Sequence, residues 1–70
     1  MDINLEYKKT QVNKVNQGTY FKLRPTETAP VWVRGEYDKV SKTYSCYKYE
    51  DTNHEKFLKG NREIYINFTF

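Results

Sequence analysis

Apolar and polar residues alternate along most of this chain with a period of two, the pattern of strands that bury one face. It is cleanest at the carboxyl end, where Ile64, Ile66, Phe68 and Phe70 alternate with Glu63, Tyr65, Asn67 and Thr69. Residues 19–24 repeat it, with Phe21 and Leu23 on one face and Tyr20, Lys22 and Arg24 on the other, until Pro25, which cannot donate to a ladder. Pro30 opens the next strand, in which Val31 and Val33 share one face and Trp32 and Arg34 the other. Gly35 lies within that strand and marks a bulge or a sharp bend. Asp38-Lys39-Val40-Ser41 reads as a hairpin loop whose carboxylate accepts a bond from a backbone N–H two residues on. Residues 42–50 return with Tyr44 and Cys46 on one face and Ser45, Tyr47 and Tyr49 on the other.

The remaining pieces are shorter. A polar turn over residues 50–53 precedes a short stretch at 54–58, whose bulky ring is Phe57 with Leu58 beside it, and Lys59-Gly60-Asn61 makes another turn. Before Gly18, the alternation of Ile3, Leu5 and Tyr7 suits an edge strand or a frayed arm. Val12 and Val15, three apart, suit a single helical or 3-10 turn that docks on a core, and Asn16-Gln17-Gly18 punctuates the chain where a positive φ is needed. The expected interior is Phe21, Leu23, Val31, Val33, Tyr44, Cys46, Phe57, Ile64 and Ile66. Burying each large side chain there contributes about 1.5–3 kcal/mol.

Five short strands with polar turns between them predict an all-β chain, a small five-stranded SH3-like barrel with a short amino-terminal arm or extra edge strand. The arm is residues 1–14 and the barrel domain residues 15–70. An OB-like barrel is the alternative, and the connection lengths favour the SH3-like one, because an OB-fold usually needs more residues and a helix between its third and fourth strands.

Composition narrows the function classes. Seventy residues make one domain near the lower end of what folds without metals or disulfides, so nearly every apolar residue is needed for the core. Seven Tyr, four Phe and one Trp favour strands over helices. Twelve Lys and Arg against nine Asp and Glu leave a net charge of +3, a mild bias toward anionic partners. The single cysteine, Cys46, forms no internal disulfide and suits a reducing, cytoplasmic setting. The first twenty residues contain no continuous apolar run, so no signal peptide, membrane span or membrane partner is expected from them.

The quoted turns and core positions, Gly18-x-x-Phe21, Val31-x-Val33-x-Gly35-x-Tyr37-Asp38, Tyr44-x-Cys46-Tyr47 and Phe57-x-Lys59-Gly60, form a pattern over residues 15–70. It resembles that of the small SH3-like β-barrel proteins of bacteriophages and related mobile elements, particularly those of Bacteroides-type hosts. The resemblance implies an accessory or host-interacting role in the host cytoplasm and transfers no site residue.

Candidate chemistry then rests on the outward side chains. Tyr20, Lys22, Arg24 and Trp32, with Arg34, Tyr47, Tyr49 and Tyr65, are expected to form an aromatic sheet face edged with positive charge. Single-stranded nucleic acid binds such faces, since bases stack on rings and phosphates meet cations. The same residue types make protein–protein hot spots, so a host or phage protein, or a second copy of the chain, is the alternative partner. Rings that merely pair across the sheet would have the same spacing. An enzyme would have to use Cys46, His54 or the carboxylates Glu50, Asp51 and Glu55, but Cys46 falls at an inward position and no catalytic motif is present. His54 and its acidic neighbours lack metal-ligand spacing, and the three glycines are isolated, so no metal, cofactor or phosphate loop is expected.

Overall fold

Alternation becomes strand wherever a partner can satisfy the backbone, and among the described residues six strands result: β1 (Lys8–Gln11), β2 (Tyr20–Phe21), β3 (Trp32–Asp38), β4 (Thr43–Lys48), β5 (Glu55–Lys59) and β6 (Glu63–Ile66). The structure is a computed structural model that describes residues 7–68. Expectations for Ile3, Leu5 and Phe70 lie outside those residues. The chain is all-β apart from one 3-10 turn at Val12–Lys14, where the spacing of Val12 and Val15 put it. Strands β2-β3-β4-β5 form one antiparallel sheet and β1-β6 a second. Five strands were expected; the additional one is β1, which lies in the segment read as an arm and pairs along β6 from Lys8↔Ile66 to Gln11↔Glu63.

The two sheets meet at Lys22. The expected strand over residues 19–24 is shorter than the alternation suggests, because the ladder to β3 ends at Phe21↔Trp32. Lys22 instead exchanges two 2.8 Å backbone bonds with Tyr65 of β6. The 3-10 turn joins the β5–β6 turn, with Val12 N–H donating to Arg62 O and Asn13 N–H to Gly60 O, both at 3.1 Å. The described strands do not close into a continuous ring.

The core sits between the sheets, built on Val12, Phe21, Trp32, Cys46, Leu58 and Ile64. Val15, Leu23, Tyr44 and Ile66 pack against it. Two expectations are corrected here. Trp32, placed outward by the alternation, is inward and only 4% exposed, on the same face as its cross-strand partner Phe21. Val33 is buried as expected but on the opposite face, between its cross-strand neighbours Tyr20 and Tyr47, and Val31 is half-buried. Both parities of this strand carry apolar side chains, so local pattern alone leaves the choice open, and the register that sets Trp32 opposite the fully buried Phe21 decides it. Phe57, placed in the interior, is 61% exposed. The register sets Leu58 opposite the inward Tyr44 and Phe57 opposite the outward Ser45, so Leu58 fills the core.

Turns and the bulge follow their residues. Gly18 has φ +92°, the left-handed region that glycine enters without strain. The β3–β4 register slips between Arg34 and Tyr37, and a side chain on Gly35 would bring its Cβ to 2.5 Å from Ser45 O. Only glycine fits that bulge. In the following hairpin Val40 N–H donates to Asp38 Oδ1 at 2.9 Å, and that bond holds the Asp38 carboxyl below its usual value. The pairing Asp38↔Thr43 leaves residues 39–42 as the loop, one residue later than expected.

Candidate functional site

The eight residues expected on one aromatic and basic face are divided among four places. The division starts from the pleat: Tyr47, Lys48 and Tyr49 are consecutive, so the tyrosines and the lysine leave β4 on opposite faces.

Tyr20, Tyr47 and Tyr49 occupy the outer face of the four-stranded sheet. Tyr20 and Tyr47 flank Val33 in register, and the Tyr20 and Tyr49 rings meet edge to face with centroids 5.5 Å apart. Tyr20 is 45% and Tyr49 48% exposed, and together with Thr52 and Gly18 the three tyrosines line a shallow groove of about 320 Å³. Glu55, opposite Tyr47, accepts a hydrogen bond from Ser45 Oγ on the same face. Sequence alone fixed these tyrosines on this side, since β4 keeps the expected parity.

Lys22 is a structural cation, contrary to its expected exposure. It is 3% exposed, and its Nζ donates to Tyr7 Oη at 3.2 Å, Thr26 O at 3.0 Å and Glu27 O at 3.3 Å. Its ammonium lies 4.9 Å from the Phe68 ring centroid and 5.5 Å from that of Tyr7. The reason is topological, since the bridge to Tyr65 draws Lys22 under both ends of the described chain. Tyr65, half-buried, supplies the backbone of that bridge. Arg34 is likewise committed, with its guanidinium 4.4 Å from the Tyr44 ring centroid and Nη1 donating to Gly35 O at 3.0 Å. Its Nε is buried and makes no hydrogen bond among the described residues.

The remaining two, Arg24 and Trp32, line a cleft that alternation did not reveal. Its cations are Arg24, Lys48, Lys56 and Arg62, and its floor is Leu23, Ala29, Pro30 and Trp32, with His54 at the rim, around a volume of about 390 Å³. No carboxylate among the described residues lines it. The register explains the gathering, because Lys48 lies opposite Trp32, and Lys56 opposite Cys46, on the inward face near its open edge. Lys56 Nζ sits 5.3 Å from the indole centroid, a cation–π contact, and the His54 ring meets the indole edge to face at 5.6 Å. Trp32 is therefore a buried floor rather than a stacking platform. The contributions of Lys48, His54, Lys56 and Arg62 were missed, since these residues come from separate segments and no local spacing links them. The loop expected at residues 38–41 would set Trp32 opposite Tyr47, so the hairpin register carried no signal for Lys48.

Cys46, expected inward and inert, is fully buried. Burial pushes its thiol above the ordinary value, against the opposing pull of the Gly35 backbone hydrogen bond. Among the described residues no group of three His, Cys, Asp or Glu side chains is placed to hold a metal ion, and no helix is long and apolar enough to cross a membrane. Comparisons with protein-family models, curated proteins and solved structures found no match to this chain.

Proposed function

We propose that this protein is a small non-enzymatic binding module, an SH3-like β domain of the phage accessory kind, that engages single-stranded nucleic acid in the host cytoplasm. The observation that carries the reading is the cleft over Trp32, where Arg24, Lys48, Lys56 and Arg62 converge with no carboxylate of the described residues among them. Phosphate oxygens are the ligands such a cleft suits, and the exposed His54 ring at its rim is available to an unstacked base. Two small antiparallel sheets joined at one bridge, with a 3-10 turn fastened to the β5–β6 turn, support the SH3-like description.

The test is titration of labelled single-stranded DNA and RNA at two salt concentrations. Binding should weaken with salt, and Lys48→Gln should reduce the log–log slope by about one, the loss of one phosphate contact. Absence of binding to either strand at low salt rejects the proposal.

A second reading has its own observation. The tyrosine face carries exposed rings, with Phe57 on the same side, and no cation among the described residues lines its groove, which favours a protein surface. The same titration separates the two. Binding indifferent to Lys48→Gln and abolished by Tyr49→Ala would transfer the function to this face.

A further inference from the structure

We propose that the basic cleft recognises the terminal phosphate of a nucleic-acid strand, a phosphate monoester, rather than the phosphodiesters within it; this rests on the nucleic-acid reading above. Arg24, Lys48, Lys56 and Arg62 enter one cleft of about 390 Å³ from different segments: beyond β2, the end of β4, β5 and the β5–β6 turn. They surround a volume instead of marking a line. A track for internal phosphates would string its cations along the surface, whereas cations gathered around one volume repel each other until a multiply charged group sits among them. A phosphodiester brings a single negative charge. A phosphate monoester brings about −1.5 to −2 and three strong acceptor oxygens.

The surroundings also favour an end over a thread. A neighbouring cleft shares Ala29, Pro30 and Lys48 with the basic one, and Glu27, Glu50 and Asp51 line it. A strand running on in that direction would press its next phosphate against those carboxylates, while a strand that stops in the basic cleft avoids them. The floor adds to the effect. Trp32 and Ala29 are buried and apolar, so one side of the bound group is shielded from water and its ion pairs are strengthened.

The experiment uses one decamer sequence with an internal label in three forms: a 5′-phosphate, a 3′-phosphate, or hydroxyls at both ends. At about 100 mM salt, within the range where phosphate contacts still discriminate, one phosphorylated form should bind about tenfold or more tighter than the hydroxyl form, the gain of one charge-assisted hydrogen bond. Inorganic phosphate should compete away that advantage. The double variant Lys56→Gln/Arg62→Gln, altered only at exposed positions, should bind all three decamers more weakly and alike, because the phosphorylated form loses more than the hydroxyl form does. Equal affinity for all three decamers overturns end recognition while leaving nucleic-acid binding intact. A failure of all three to bind even at low salt removes the nucleic-acid reading and this inference with it.

Discussion

The Trp32 cleft and the tyrosine face share two strands, β3 and β4, from whose opposite sides they rise, yet they differ in what decides a ligand. Trp32 and Val33 are adjacent in sequence, as are Lys48 and its flanking tyrosines, and the pleat sends each neighbour to the other side. One side collects cations around a buried indole. The other exposes rings beside Ser45, Thr52 and Glu55, and no cation among the described residues lines the groove between its tyrosines. Aromatic and basic residues that interleave in sequence are thus separated in space. Composition suggested one mixed surface, and the sheet made two surfaces with different chemistry.

The sharpest way to break this contrast is to remove a ring from each side. Trp32→Ala should destabilise the protein by about 3–5 kcal/mol, since it empties a core position, whereas Tyr49→Ala should cost about 0.5–1.5 kcal/mol, the edge-to-face contact with Tyr20. Urea unfolding of both variants measures the difference. Equal costs would show that Trp32 is not the floor of the cleft.

A smaller effect separates the structural cation from those of the cleft. Lys22→Ala should cost about 1–3 kcal/mol, because it removes the ammonium bonds to the Thr26 and Glu27 carbonyls, of which Thr26 O keeps only that from Ala29 N–H, and removes the cation between Tyr7 and Phe68. Lys56→Ala, at an exposed position, should stay within about 1 kcal/mol while weakening nucleic-acid binding. If thermal melts rank the two lysines the other way, the assignment of roles is reversed.

The smallest expected effect is a pH dependence centred on Cys46, beneath both surfaces. Its thiol is held above the ordinary value by burial, so the folded state keeps a proton that the unfolded chain gives up as pH rises through the usual thiol range. Stability should therefore fall from about pH 8 upward. Cys46→Ala should flatten that slope in urea midpoints collected between about pH 7 and 10, and an unchanged slope would assign the titration to other groups.

Much of the fold was legible from sequence where a strand had apolar residues on a single parity. β6 and β4 are the examples: Ile64 and Cys46 are fully buried, Ile66 and Tyr44 pack against the core, and Tyr47 and Tyr49 lie on the far side. The Gly18 turn, the Gly35 bulge and the Asp38 carboxylate bond to Val40 N–H were legible too, because each depends on a few consecutive residues. Strands with apolar residues on both parities were not. Val31 and Val33 against Trp32, and Phe57 against Leu58, are choices that the cross-strand register makes, and register is a property of pairs of strands.

The all-β class, the inward faces of β4 and β6, and the turn chemistry belong to the sequence itself, since backbone preference and two-residue alternation are local. The burial of Trp32 and Lys22, the joining of the sheets at Tyr65, and the meeting of Arg24, Lys48, Lys56 and Arg62 in one cleft belong to the tertiary structure. Each requires segments far apart in sequence to be brought together, and no spacing along the chain encodes that distance.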